Sequence, residues 1–173
     1  MRKLIFAAAP LALLASPAMA ATAAAAVNGN VAITGEVTAR CAFTVGSETI
    51  ALGEISGNDG KLDVTKVNGQ TKNLTGWCNG TNSTIAVNAT ALTNTLTGTG
   101  FDSTVTYTAT ATVGSVSATD SNSLDAAAGA AATVGLFNGN ITVALSGAAT
   151  PTSALMVAGG YTGNVQVTLT PAV

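Results

Sequence analysis

The chain contains no histidine, few charged residues and few aromatic side chains. Of its 173 residues none is His, 8 % are charged and 4 % are aromatic. The missing imidazole removes the commonest general base and the commonest metal ligand in proteins. The sequence also lacks nucleotide-binding and serine-hydrolase motifs. These absences predict a protein that is not an enzyme and that uses neither a metal nor a cofactor.

The balance of charge is slightly acidic. The formal net charge is −2 at pH 7, and Arg2 and Lys3 supply two of the six basic residues. A sparsely charged, acidic surface is unfavourable for binding nucleic acid or anionic lipid. Ordinary domains carry roughly 25 % charged residues, whereas Thr, Ser, Asn, Gly and Ala dominate this chain. The composition therefore indicates a neutral surface and no nucleic-acid partner.

A calcium-binding loop is the one metal site that a motif brings to mind. The stretch "ISGNDGKLDVTK", residues 55–66, places Asp59-Gly60 where an EF-hand loop has its sharp turn. The first, third and twelfth positions of that frame are Ile55, Gly57 and Lys66, whose side chains cannot ligate calcium. We therefore interpret the stretch as a solvated turn.

The only long apolar run lies at the N-terminus. Arg2 and Lys3 precede "LIFAAAPLALLA", and the small-residue pattern "AMA" ends at Ala20, as in a secretory signal peptide. The run is shorter than the roughly 20 apolar residues that a membrane-spanning helix needs. We expect residues 1–20 to be a signal peptide, the protein to be exported, and no segment to span a membrane.

Two cysteines, Cys41 and Cys78, remain after the leader. A pair of cysteines in an exported protein indicates a disulfide, which for a loop of this length stabilises the fold by about 4 kcal/mol. No CxxC redox motif is present, and two distant thiols without histidine cannot complete a zinc site. The sequence therefore predicts a structural disulfide between them.

Most of the remaining chain favours β-strands. Clear period-two alternation, rich in Thr and Val, occurs in residues 83–92, 103–113, 139–147 and 161–170, and Gly/Asn turn signals separate these segments. The only candidate helix is "LDAAAGAAA", residues 124–132, which Gly129 makes a loop or a single turn. The pattern predicts an all-β antiparallel sandwich with Greek-key connections.

Both ends of the mature chain carry an alternating segment. Near the N-terminus one side of the alternation holds Ala25, Val27, Gly29, Val31 and Ile33. In the last segment one face holds Tyr161, Gly163, Val165, Val167 and Leu169, and Pro171 then ends the ladder. Chain termini are normally frayed, and an unpaired apolar strand is an aggregation hazard. The N-terminal segment therefore needs a partner.

Four segments, taken in order, resemble a subunit of chaperone–usher fimbriae, closest to major pilins of the type 1 kind. They are "AVNGNVAITGEVTARCAF" (26–43), "IALGEI" (50–55), "NLTGWC" (73–78) and "AGGYTGNVQVTLT" (158–170). The last of them is also similar to spore-coat-U-like secreted domains. Residues 93–138 carry little specific match.

This resemblance implies an incomplete immunoglobulin-like sandwich whose missing last strand leaves a groove beside the final strand. A periplasmic chaperone would fill the groove first, an outer-membrane usher would assemble the subunits, and the N-terminal extension of the next copy would replace the chaperone. It implies a donor extension over residues 21–33 and a sandwich domain over 34–173, whose own first strand starts near Gly35. The predicted function is a structural subunit of a surface fimbria, exported through the periplasm.

Other functions are compatible with the same residues. Residues 25–37 could instead be the first strand of a self-contained secreted or matrix sandwich that does not polymerise. A sugar-binding tip adhesin would need a further binding domain, for which the mature length leaves no room. A secreted enzyme is disfavoured by the missing catalytic residues.

Overall fold

The structure is a computed structural model that describes residues 22–121, 123–125 and 127–173. The predicted signal peptide, residues 1–20, lies outside the described residues. The chain divides into two compact units, Met1–Glu36 and Val37–Val173. In the first unit, residues 22–36 are exposed and form no regular secondary structure.

The second unit is built mainly from antiparallel β-sheet, as the alternation predicted. Its strands are β1 Cys41–Val45, β2 Thr71–Cys78, β3 Thr84–Thr93, β4 Phe101–Asp102, β5 Thr104–Val113, β6 Val116–Asp120, β7 Ala132–Thr133, β8 Phe137–Ala149, β9 Leu155–Met156 and β10 Thr162–Thr170. A single 3₁₀ turn, Val64–Lys66, is the only helical element among the described residues. The predicted fold class, an all-β sandwich with one disulfide, is confirmed.

Hydrogen bonds connect the strands in the order β1-β2-β8-β5-β3-β10, with β6 beside β5 and β7 beside β3. Strand β5 pairs with β8 over most of its length but with β3 only where Leu92 and Thr93 meet Val105 and Thr104. β5 therefore links the two layers of the sandwich. β4 and β9 form a separate parallel ribbon, in which Phe101 lies opposite Leu155.

The core fills the space between the layers with small and branched side chains. Alternate residues of β5 are buried, namely Val105, Tyr107, Ala109, Ala111 and Val113. In β3 the alternation slips by one residue, because Ala89 and Leu92 are both buried. The β3–β10 pairing changes register at the same place, between Thr162 and Asn164, so the slip is a β-bulge.

The inner edge of β3 is sealed by the last residue of β6 and by the segment that follows it. The main-chain N–H of Ala89 donates to the carboxylate of Asp120 at 2.7 Å, and that of Ala91 donates to the carbonyl of Ser123 at 2.8 Å. The described residues of 124–132 contain no helix, as Gly129 indicated. Side-chain and loop groups thus replace a neighbouring strand along this stretch of β3.

The disulfide between Cys41 and Cys78 is present, with a Cα–Cα distance of 4.2 Å. It joins the first residue of β1 to the last residue of β2, beside a reciprocal pair of hydrogen bonds between Arg40 and Asn79. Strand β1 therefore begins at Cys41 and not near Gly35, because pairing with β2 starts at the disulfide.

Candidate functional site: a cleft beside the last strand

One edge of β10 is open. Its other edge pairs with β3 from Thr162 to Thr170, and no described strand pairs with the open edge. Residues 46–55 line the opposite wall of a cleft along this edge, and they belong to no strand. The sandwich is thus left open between β10 and the segment that follows β1.

The cleft is long and has an apolar floor. One stretch has a volume of about 560 Å³ and an adjoining stretch about 630 Å³. Apolar or aromatic side chains from both layers and both walls line it, among them Ile50, Leu52, Leu92, Tyr107, Val143, Leu145, Val165 and Val167. The floor residues Leu92, Tyr107, Val143 and Leu145 belong to the buried core cluster, so the cleft reaches the hydrophobic core.

Charged groups lie only at the rim of this lining. The ammonium of Lys72 and the carboxylate of Glu48 are 4.0 Å apart and both side chains are more than a third exposed, so their attraction contributes little to stability. Glu54 is the remaining charged lining residue. The cleft therefore suits an uncharged, partly apolar ligand.

Tyr107 fixes the bulge in the middle of the cleft. Its hydroxyl lies 2.7 Å from the carbonyl of Thr90 and 3.2 Å from that of Asn164, so one proton is shared between β3 and β10. Gly163 fits the bulge because a Cβ there would lie 2.8 Å from the carbonyl oxygen of Thr90. Burial, together with the negative charge of Asp120, raises the pKa of Tyr107 to about 12.

The start of β10 is tied to the ribbon by Tyr161. Its hydroxyl lies 3.0 Å from the carbonyls of both Asp102 and Val157. The buried carboxylate of Asp102 accepts hydrogen bonds from the Thr152 hydroxyl and the Ala154 N–H, each 2.8 Å long. Burial raises the pKa of this carboxyl, but the hydrogen bonds outweigh burial and hold the pKa below its ordinary value. This network fixes one end of the cleft.

The residues that sequence reasoning assigned to the final strand are divided between the cleft and the core. Tyr161, Gly163, Val165 and Val167 line the cleft. Leu169 packs against the core cluster and is not a lining residue. Their faces agree with the alternation, since Val165, Val167 and Leu169 are half-buried between exposed polar residues.

The residues assigned to the donor segment are exposed. Val27, Val31 and Ile33 are 98, 84 and 93 % exposed, values far above those usual for large apolar side chains in a folded protein. Ala25 and Gly29 are exposed as well. The described part of the first unit, residues 22–36, forms no strand. It is an apolar, alternating segment without a ladder of its own.

Sequence reasoning missed the floor of the cleft. Leu92, Tyr107, Val143 and Leu145 were parts of predicted strands but were not assigned to the site. The alternation of Ile50 and Leu52, half-buried between exposed neighbours, is the signal that could have identified the opposite wall.

The stretch that was compared with a calcium-binding loop is a turn. Residues 57–61 form a tight turn in which the Lys61 N–H donates to the Asp59 carboxylate at 3.1 Å. No group of three or more His, Cys, Asp or Glu side chains within the described residues is placed to hold a metal ion. In the part of the chain that the structure describes, no helix has the length and apolar character needed to cross a bilayer.

In comparisons with known proteins, the chain matches no protein-family model, no curated protein and no solved structure. The cleft and the exposed segment therefore have to be interpreted from their own geometry and chemistry.

Proposed function

We propose that the chain is the structural subunit of a surface fimbria that polymerises by donor-strand complementation. The segment 25–33 of one copy fills the cleft beside β10 of the next copy and adds a strand to its open edge. Because each copy gives a strand at one place and receives one at another, the contact does not close and generates a filament.

The observation that carries this proposal is the co-occurrence of an open edge and an exposed strand-like segment in one chain. β10 offers nine residues of unpaired edge above an apolar floor. Residues 22–35 contain no charged side chain, which matches the scarcity of charge in the cleft. An exposed apolar edge and an exposed apolar segment are both aggregation hazards, and each would remove the hazard of the other.

The energy available from such pairing is large. Burial of Val27, Val31 and Ile33 would contribute roughly 1.5–3 kcal/mol each, in addition to a ladder of main-chain hydrogen bonds. Gly29 lies on the same side of the alternation and suits a place where the two backbones approach closely. The proposal explains why apolar residues recur at every second position of a segment that has no partner of its own.

The proposal includes the route to the surface. Residues 1–20 direct export, a periplasmic chaperone occupies the cleft before assembly, and an outer-membrane usher accepts the subunit. This part rests on the resemblance of the sequence to fimbrial subunits. The disulfide is compatible with it, since such bonds persist in oxidising compartments.

The test introduces one carboxylate into the donor segment of the mature full-length chain, either on the apolar side of the alternation or on the opposite side. Val31→Asp puts a carboxylate into the apolar cleft and is expected to abolish SDS-resistant ladders and polymer mass, because an unpaired buried charge is costly. Asn30→Asp is the matched control: its side chain lies on the opposite side of the alternation, and it should assemble like the unmodified protein.

Two results would contradict the proposal. One is ladder formation that is equal in Val31→Asp and in the control. The other is a protein that stays monomeric at every concentration and whose own urea midpoint falls with Val31→Asp, which indicates that residues 25–37 belong to a self-contained sandwich.

A further inference from the structure

The β4–β9 ribbon borders the end of the cleft at which β10 begins. Gly60 and Met156 both line the cleft, and the Met156 N–H donates to the carbonyl of Gly60 at 2.8 Å. A Cβ on Gly60 would lie 3.2 Å from a methyl group of Leu155. The ribbon and the cleft therefore form one continuous surface.

The outer face of this ribbon is apolar and exposed. Phe101 and Leu155 lie directly opposite each other and are 48 and 42 % exposed. Their neighbours Asp102 and Met156 point the other way, towards the protein. We call Phe101 and Leu155 the ribbon patch.

The N-terminal segment leaves the sandwich at the opposite end. Arg40 is bonded to Asn79, and three residues later the Asn82 N–H donates to the carbonyl of Ala172 at 3.2 Å. The chain therefore joins the sandwich beside the C-terminal end of β10, whereas the ribbon patch adjoins its N-terminal end.

The direction in which the donated strand runs along β10 determines which end of the cleft lies next to the sandwich of the donating copy. An antiparallel ladder is slightly more stable per residue than a parallel one. A strand that runs antiparallel to β10 has residue 33 near Tyr161. At about 3.3 Å per residue, the next four residues extend about 13 Å beyond it. This stretch ends with Val37, which is itself exposed.

We propose that the ribbon patch is the seat for the body of the incoming copy, whose Val37 packs on Phe101 and Leu155. This inference rests on the proposed donor-strand function. It adds a second contact outside the cleft, between folded parts of successive subunits.

The test separates binding of the segment from seating of the domain. A full-length mature chain carrying Val31→Asp and Ile33→Asp can accept a strand but cannot donate one. In this acceptor, Phe101→Asp is expected to leave the affinity for a synthetic peptide of residues 22–35 unchanged, because the peptide ends before the patch. In the otherwise unmodified chain, Phe101→Asp should weaken assembly by about tenfold or more, as expected for an aromatic interface anchor. Leu136→Asp, at another exposed leucine, is the control.

A photo-crosslinking side chain in place of Val37 reports the direction of the strand. Crosslinks to the ribbon patch of a second copy are expected. Crosslinks to residues beside Thr170 would overturn the inference and leave strand donation standing. Normal assembly of the Phe101→Asp chain, together with binding of the peptide by the acceptor, would have the same consequence. Failure of the unmodified acceptor to bind the peptide would overturn the proposed function, and this inference with it.

Discussion

The hydroxyl group of Tyr107 on β5 donates a hydrogen bond to the main-chain oxygen of Thr90 on β3, at 2.7 Å. The carbonyl of Asn164 on β10 lies 3.2 Å from the same hydroxyl. A side chain from one layer thus satisfies carbonyls at the bulge of the other layer, directly under the cleft. The bulge is a fixed part of the site because the Tyr107 hydroxyl holds it.

Alkaline titration should detect this arrangement. The pKa of Tyr107 is raised to about 12 by burial and by the negative charge of Asp120. The neutral phenol is favoured in the folded state, so its stabilising contribution is present below the ordinary value of 10.0 and is lost as the pH rises towards about 12. Tyrosinate absorbance should show a component near pH 12 that Tyr107→Phe removes. Loss of stability below pH 9 that depends on Tyr107 would contradict this assignment.

The bulge also predicts that substitution by alanine destabilises the fold at Gly163 but not at Gly160. In Gly163→Ala the new methyl group would lie 2.8 Å from the carbonyl of Thr90 and 3.0 Å from that of Ala91, so we expect a loss of about 1–3 kcal/mol in the free energy of unfolding. Gly160→Ala is the matched control, because no atom lies within 4 Å of its Cβ. It should be neutral or slightly stabilising. Urea denaturation measures both, and equal effects would show that the bulge tolerates a side chain.

Acid sensitivity should depend on Asp102. Burial opposes ionisation of this carboxyl, but hydrogen bonds from Thr152, Ala154 and Thr150 outweigh burial and lower its pKa from the ordinary value of 3.8. A lowered pKa contributes stability that is present above about pH 3.8 and is lost as the pH falls below it. Asp102→Asn should flatten this acid limb of the unfolding profile, and Thr152→Val, which removes one donor, should give an intermediate slope. An unchanged acid limb in both variants would count against the network.

Reduction of the disulfide should destabilise the second unit without changing its fold class. The bond between Cys41 and Cys78 closes a loop with a sequence separation of 37, for which the chain-entropy estimate is about 4 kcal/mol. The paired variant Cys41→Ala/Cys78→Ala is expected to show this loss in urea denaturation. Alkylation without prior reduction should leave the mass of the unmodified protein unchanged. Labelling of two thiols would disprove the bond.

The long strands could be predicted because each has one face in the core. Alternation in residues 103–113 gave β5, Thr104–Val113, nearly to the residue. The segment 139–147 identified β8 but not its full extent, Phe137–Ala149. Gly147 at a φ of 62° interrupts the alternation near the end of this strand, so its last residues leave the pattern.

The short elements could not be predicted because they carry no period. β4, β7 and β9 have two residues each. The seal along β3 depends on a carboxylate, Asp120, and on loop groups that replace a strand. Gly129 belongs to it, since its N–H donates to Val87 and a Cβ would collide with the carbonyl of Thr119. In the sequence, these residues carry no periodic pattern.

Only part of the candidate site could be predicted from the sequence. The alternation of residues 161–170 identified one wall, and the apolar N-terminal segment raised the question of a missing partner. The floor consists of Leu92, Val143 and Leu145, which are separated along the chain and meet only because β3 and β8 belong to opposing layers. Such a surface is defined by topology and cannot be identified from a local pattern.

The seal along β3 limits the number of strand edges to which another chain can add. Because Asp120 and Ser123 already satisfy the N–H groups of Ala89 and Ala91, another chain cannot add there, and β10 keeps the longest open edge among the described strands. In the proposed filament, each unit has one acceptor edge and one donor segment and is therefore divalent, so the proposed polymer is linear and unbranched. Its mean length is then governed by the proportion of monovalent chains, which end growth at one terminus only.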